Sequence, residues 1–260
     1  VKLVVKIGGA ALDDASLVRH FAHVVVDLVH GGHRVLVVHG GGSALSSTLK
    51  ALGRETRFVD GLRVTDAATR DIAVMVLAGG VNKRLVAAIG AAGAPALGLS
   101  GGDLCIVQAR PKRAHEELGF VGEVTTVDAA WLARVWSLGA IPIVASIALG
   151  NDGEYYNVNA DEVAAACAVA LQADALVFLT DVPGVRDADG VVMASLETSR
   201  ISALIERTTI SGGMLPKLEA CTRALRRGVP RVHILPATQA RDLRGLTNGG
   251  IDCGTEVVSR

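Results

Sequence analysis

Short runs rich in valine, leucine and isoleucine recur along this chain between stretches of helical pattern, and that alternation narrows the fold most. Leu3–Ile7, Arg34–Val38, Ile141–Ile147 and Ala175–Leu179 read as strands with almost no polar residue to turn toward water. A strand apolar on both faces needs cover on both, which calls for a mainly parallel sheet between layers of helices. Ala15–His30, Ser43–Leu52, Asp128–Ser137 and Gly213–Arg227 supply helical segments, and Ala67–Ala92 a longer one with a break point at Gly79-Gly80. Ala160–Leu171 is alanine-rich with no polar face, so it must be buried on most sides. Further strands are expected at Pro95–Leu99, Leu104–Ala109, Phe120–Val124, Arg231–Leu235 and Gly254–Val258, and a hairpin over Arg54–Val64. No linker or repeat divides the 260 residues, and half of them are apolar. The expected fold class is therefore α/β: one domain, a three-layer α/β/α sandwich around a mainly parallel central sheet, with ligands at the carboxyl ends of the strands.

Bulk properties exclude several roles. With 26 basic and 26 acidic residues the formal charge is zero, which gives no electrostatic case for nucleic acid or an anionic membrane. Aromatic residues make up 3%, too few for a base-stacking platform. No run of 18 uncharged apolar residues occurs, which argues against a membrane-crossing helix, and Val1–Gly9 reads as a buried strand rather than a signal peptide. Cys105, Cys167, Cys221 and Cys253 lie far apart with no Cys-x-x-Cys pair. That spacing fits reduced cytoplasmic thiols better than a metal site or a disulfide framework.

Two glycine clusters follow strands directly: Lys6-Ile7-Gly8-Gly9 and His39-Gly40-Gly41-Gly42. A strand that runs through glycine into a helix exposes backbone N–H groups suited to phosphate or carboxylate oxygens. Lys6 ends an apolar strand, where a charge is costly unless it faces a cleft or a partner. Lys217 stands in the first turn of a helix, against the macrodipole, which a bound anion would explain. In Asn157-Val158-Asn159-Ala160-Asp161-Glu162, Asn159 suits an N-cap with Glu162 three residues on, and Asp161 enters a buried helix where two lysines would serve as partners. Thr180-Asp181-Val182-Pro183-Gly184-Val185 is a turn at a strand end that could hold a nucleotide, and Arg63 lies on a turn suited to bidentate carboxylate binding. Two cations, a carboxylate between them and two glycine cradles make a phosphoryl-transfer site plausible, since that reaction needs positioning and charge neutralisation above all.

A serine-hydrolase reading competes with this one. His39–Gly42 matches an oxyanion-hole pattern, Gly98-Leu99-Ser100-Gly101-Gly102 fits Gly-x-Ser-x-Gly, and Asp181 and His233 follow in order. A nucleophile elbow needs a helix directly after the serine, whereas Asp103–Val107 looks strand-like, and the reading leaves Lys6, Asp161 and Lys217 unexplained.

Taken together, these motifs resemble the amino acid kinase family over nearly the whole chain, from Lys6 to about Thr255. The resemblance also rests on Gly61–Thr65 (Gly-Leu-Arg-Val-Thr), Val81-Asn82-Lys83, Glu117–Val124 (Glu-Leu-Gly-Phe-Val-Gly-Glu-Val) and Gly212–Lys217 (Gly-Gly-Met-Leu-Pro-Lys). It is strongest to the branch that phosphorylates the side-chain carboxylate of N-acetyl-L-glutamate in arginine biosynthesis. By that resemblance Lys6 and Lys217 stabilise the transferring phosphoryl group, Asp161 holds both lysines, and Gly8, Gly9 and Gly41 donate backbone N–H groups. Gly41, Gly42, Arg63 and Asn157 bind the acceptor. Thr180, Asp181, Val182, Gly184 and Val185, with Thr209, Ser211 and Gly213, line the ATP site, and Mg²⁺ arrives on the nucleotide phosphates. The resemblance further implies a cytoplasmic homodimer, with about 1–155 as acceptor and dimerisation lobe and about 156–260 as ATP lobe. The chain departs from many relatives in carrying Ser43-Ala44-Leu45 where they have Pro-x-Ile. Starting at the first strand, it is most like the shorter, arginine-insensitive members. A sister kinase acting on aminoadipate or glutamate linked to an acidic carrier protein is the nearest alternative, with Arg110-Pro111-Lys112-Arg113 as its candidate contact. A non-catalytic kinase-like regulator is disfavoured by the retained lysines and Asp161.

Overall fold

β1 (Lys2–Ile7) sits inside an eight-stranded sheet with parallel neighbours on both sides, as its buried Leu3-Val4-Val5 run demands. A computed structural model describes residues 1–113, 116–206, 213–248 and 250–259. In chain order the elements are β1, α1 (Ala15–His30), β2 (Arg34–His39), α2 (Gly42–Ala51), β3 (Phe58–Val59), β4 (Leu62–Arg63) and α3 (Ala67–Ala73). A π-helical stretch, Val74–Val81, leads into α4 (Asn82–Ala91), followed by β5 (Ala96–Leu99), β6 (Val107–Pro111), β7 (Val121–Val127), α5 (Ala129–Ser137), β8 (Ile141–Ala145), β9 (Ile147–Gly150) and β10 (Tyr155–Val158). Then come α6 (Ala160–Ala170), β11 (Ala175–Thr180), β12 (Ser195–Glu197), α7 (Ile201–Glu206), α8 (Met214–Arg226), β13 (Val232–Pro236), α9 (Gly245–Asn248) and β14 (Thr255–Val258). The large sheet runs β12-β14-β13-β11-β1-β2-β8-β5, and within it only the β13–β14 pairing is antiparallel. β10, β7, β6 and β9 close on one another as a small barrel, and β3–β4 form the expected hairpin.

Strand periodicity decides which side of the sheet each residue serves. Leu3, Val5 and Ile7 of β1 pack with Val35, Val37, Val177 and Leu179 under α1 and α4, while Val4 packs with Leu36, Leu176 and Phe178 under α6 and α8. Lys6 therefore points to the α6–α8 side, opposite Phe178 in register. The buried helix expected at Ala160–Leu171 is α6, whose Val163, Ala164, Ala165, Cys167 and Ala168 are all buried.

Several local expectations need correction. Ile141–Ile147 is two strands split at Ser146, and Tyr155–Val158 is a strand that its short, polar-flanked sequence concealed. Leu104 does not begin a strand: Leu104 and Cys105 have positive φ in a short 3₁₀ turn, and β6 begins at Val107. The Gly79-Gly80 interruption is a π stretch that continues the helix. By length and composition Ala67–Ala91 could cross a membrane. In this fold Ile72, Ala73, Leu77, Val81, Leu85 and Ile89 face the protein core instead, and the segment carries Arg70, Asp71, Lys83 and Arg84.

His39 and Asn82 tie the end of β2 to the start of α4. Asn82 Nδ2 donates to Ile143 O at 2.9 Å and faces His39 Nε2 at 3.0 Å, while His39 Nδ1 lies 2.8 Å from Gly40 O. That pattern needs a neutral imidazole protonated at Nδ1. Burial pushes the histidine down to about 4, against the opposing bond to Gly40. Because the folded value lies below the unfolded one, stability is full above about pH 6.5 and falls as the pH drops toward 4. Between pH 7 and 4.5 this residue is expected to account for about 2–3 kcal/mol of lost stability. Urea unfolding of His39→Gln should lose that much less stability between the two pH values, and an unchanged loss would remove His39 as the cause.

Candidate active site

The carboxyl ends of β1, β2 and β11 open on one region, into which the N-termini of α2, α6 and α8 also point. Two clefts meet there. One is lined by Gly40, Gly41, Gly42, Arg63 and Asn157, the other by Thr180, Asp181, Val182, Gly213 and Lys217. Lys6, Gly8, Gly9, Asn159 and Asp161 line both. Sequence reasoning placed a phosphoryl path between two binding sites, and these shared residues are where such a path would run.

At the junction Asp161 bridges two ammonium groups. Lys6 Nζ lies 2.8 Å from Oδ1 and Lys217 Nζ 3.0 Å from Oδ2. Burial alone would raise the Asp161 carboxyl, but the two lysine charges outweigh it and hold it below the usual carboxylate value. Lys217 is 5% exposed; burial and then the like charge of Lys6 lower it, despite the pull of Asp161. Its Nζ also lies 5.1 Å from the centre of the Phe178 ring, whose face favours a cation. The cluster carries two positive charges and one negative, leaving one unit for an anion to neutralise. Asn159 caps α6, accepting from Asp161 N at 2.8 Å and Glu162 N at 3.4 Å, which fixes the turn that aims Asp161. Glu162 does not complete a capping box: its Oε1 accepts from Val124 N at 2.8 Å instead.

Glycine leaves needed room at two places. A Cβ on Gly8 would lie 2.7 Å from Lys6 Nζ, so a side chain there would displace the lysine from its place over the loop. Gly41 has φ +152°, and a Cβ there would lie 2.8 Å from Leu77 Cδ2, which lets the loop lie against the helix that carries Leu77.

In the first cleft Arg63 is buried and its described partners are neutral: Gly42 O at 3.0 Å, Ser46 Oγ at 2.7 Å and Thr56 Oγ1 at 3.2 Å. Phe58 of the hairpin stacks 4.8 Å from the guanidinium. Burial lowers the Arg63 pKa, as expected for a cation held out of water. Leu45, Leu77, Val121 and Val158 form an apolar wall beside Asn157 and Ser146. These wall residues, Ser146 and Asn159 escaped sequence reasoning, because nothing in a leucine or serine marks it as cleft-lining until the chain folds. Asn159 stood out only as a cap.

In the second cleft Asp181 accepts from Thr180 Oγ1 at 3.1 Å and lies beside Gly9. Gly184 and Val185 sit behind the wall: Val185 is in the core, and its N–H donates to Thr255 Oγ1 at 2.9 Å. Thr209 and Ser211 lie outside the described residues. The hydrolase constellation does not assemble. Ser100 Oγ bonds Asp103 at 2.9 Å, while His233 faces Glu256 at 3.9 Å.

A three-layer α/β/α fold with a lysine–aspartate–lysine cluster at the strand ends is that of a phosphotransferase, and the chain belongs to the amino acid kinase family, whose profile matches residues 2–236. It is 57% identical over 259 residues to an acetylglutamate kinase of Acidobacterium capsulatum, covering all of both chains. It is also 57% identical to an acetylglutamate kinase of Koribacter versatilis, covering 100% of this chain and 99% of the relative. Among solved structures, the N-acetylglutamate synthase of Neisseria gonorrhoeae, complexed with coenzyme A and N-acetyl-glutamate, superposes with a TM-score of 0.87. That match is 27% identical and covers 100% of this chain and 59% of that one.

Proposed function

We infer that this chain is an ATP-dependent kinase that phosphorylates the side-chain carboxylate of N-acetyl-L-glutamate, giving the acyl phosphate used in arginine biosynthesis. The observation that carries this reading is the net-positive Lys6–Asp161–Lys217 cluster at the junction of the two clefts, one of which holds the buried Arg63, whose described partners are neutral. A carboxylate acceptor is already ionised at neutral pH, so no catalytic base is needed. The barrier is the approach of one anion to another, which fixed cations lower. Arg63 would take the α-carboxylate, with Asn157 and the N–H groups of Gly41 and Gly42 orienting the rest of the acceptor. The apolar wall suits an acetyl methyl group. Asp161, the carboxylate lining that cleft, is already engaged by two lysines, so a free α-ammonium would find no anion there. This favours the acetylated acid over glutamate.

Gly8 and Gly9 would donate to the moving phosphoryl group, with Lys6 and Lys217 at its oxygens. Thr180, Asp181, Val182 and Gly213 would border the nucleotide, together with Thr209 and Ser211. Mg²⁺ would travel on the nucleotide phosphates and offset their charge. A homodimer is supported by exposed apolar side chains on the edge strand β5 (Leu97) and the π stretch (Met75). A cytoplasmic setting is supported by four free cysteines. The division into an acceptor lobe (about 1–155) and an ATP lobe (about 156–260) is supported by Arg63 and Gly40–Gly42 in the first cleft and Thr180–Val182 and Lys217 in the second, although Lys6 and Asn157 cross it.

The carrier-linked alternative is the weaker reading, since two of its candidate contacts are engaged within the chain: Arg110 pairs with Glu123 and Lys112 Nζ lies 3.6 Å from Glu162. Incubation with Mg·ATP and N-acetyl-L-glutamate, with hydroxylamine present to trap an acyl phosphate, is expected to give ADP and the hydroxamate. Glutamate, aspartate and uridylate should give neither. A folded, ATP-binding protein inert toward acetylglutamate would overturn the assignment.

A further inference from the structure

Two consecutive carboxylates open α6, and both are buried. The Lys6–Asp161–Lys217 cluster uses the first and leaves Glu162 unexplained. Glu162 Oε1 takes the Val124 N–H of β7 at 2.8 Å and lies 3.5 Å from Arg223 Nη1 of α8; its Oε2 lies 3.6 Å from Lys112 Nζ, just past β6. Lys217 and Arg223 belong to the same helix, so α6 grips α8 at two points through adjacent residues. Asp161 holds the first turn of α8, and Glu162 a point nearly two turns further on. Glu162 also ties this pair of helices to β6 and β7, on the acceptor side of the molecule. A third cleft between these parts, bordered by Gly61, Lys112, Glu162, Pro216 and Arg223, shares Gly61 and Pro216 with the nucleotide-side cleft.

α8 already rests on the core it shares with α6 through buried Leu218, Cys221 and Ala224, but apolar packing sets its rotation less sharply than Lys217 requires, whose ammonium must be placed within a fraction of an ångström to act on a phosphoryl group. The second grip narrows that freedom. We propose that Glu162 is a positioning residue for the phosphoryl-transfer cluster. Through Arg223 it fixes the angle of α8 and hence the seat of Lys217, and through Val124 and Lys112 it sets that helix against the acceptor-binding side. The inference rests on the kinase reading above.

Glu162→Gln keeps the acceptor for Val124 N–H and nearly the same volume while removing the charge. The test compares kcat, KM and Mg·ATP affinity of the wild type, Glu162→Gln, Arg223→Gln and the double variant, with melting temperatures alongside. Glu162→Gln is expected to lower kcat about five- to tenfold with KM for acetylglutamate within about twofold. The double variant should be no worse than Glu162→Gln, because the two residues act as one unit. A lower melting temperature with kcat unchanged would mean a purely structural carboxylate and overturn the proposal, as would losses that multiply independently. Arg223 is half exposed, so its variant carries the test even if Glu162→Gln fails to fold. A wild type inert toward acetylglutamate defeats the kinase assignment alone. Mg·ATP affinity then decides the positioning role: weakened several-fold in Glu162→Gln if the role holds, unchanged if it does not.

Discussion

The Lys217→Met variant is expected to lose about a thousandfold in kcat while its melting temperature stays level or rises. Lys217 is buried, and Lys6 partly so, around a single carboxylate, so without substrate the cluster holds one positive charge too many, largely out of water. Methionine removes that excess, leaves Lys6 paired with Asp161, and still packs on Phe178. Catalysis loses a fixed cation aimed at the transferring group, a loss of about 10²–10³ in rate by analogy with other preorganised donors. Asp161→Asn should behave in the opposite way, because it strands two ammonium groups together and costs the fold about 3–5 kcal/mol. Thermal unfolding and hydroxamate formation, measured on the same samples, separate the two effects. A Lys217→Met variant that keeps near-normal turnover would remove this lysine from the mechanism.

Arg63→Gln is expected to raise KM for acetylglutamate roughly 30- to 150-fold with kcat changed little. Lost charge-assisted bonds to a carboxylate are worth about 2–3 kcal/mol, and a carboxylate remote from the reaction is held equally in ground and transition states. Gly42 O, Ser46 and Thr56 can also accept from a glutamine amide, so the pocket should remain folded. If KM stays put and kcat falls instead, Arg63 acts on the reacting end and the acceptor is bound the other way round.

Much of this was legible in the sequence because single residues stood in places that cost energy. A lysine ending an apolar strand, another opposing a helix dipole and an aspartate entering a buried helix each needed a partner, and together they satisfy one another. The strands with long apolar runs, β1, β8 and β11, were legible, since burial on both faces leaves a continuous run of apolar residues. Tyr155–Val158 was missed because four residues between a turn and a cap carry too little pattern. Glu162 was misread because its spacing from Asn159 matches a capping box, whereas β7 brought the Val124 N–H within reach and captured the carboxylate.

Local pattern by itself determined the layered α/β class, the glycine loops at strand ends and the residue types able to move a phosphoryl group, because propensity, periodicity and the cost of buried charge all act along the chain. That Asp161 serves both Lys6 and Lys217 is expected from the sequence, but only the tertiary structure brings the lysines, 211 positions apart, to 2.8 and 3.0 Å from its two oxygens. It also decided that Leu45 and Leu77 wall the cleft beside Arg63, that Val185 lies behind the cleft at Asp181, and that Glu162 joins α6, α8 and the small barrel. These depend on which strands pair and how helices cross, set by packing between distant segments that no local window contains.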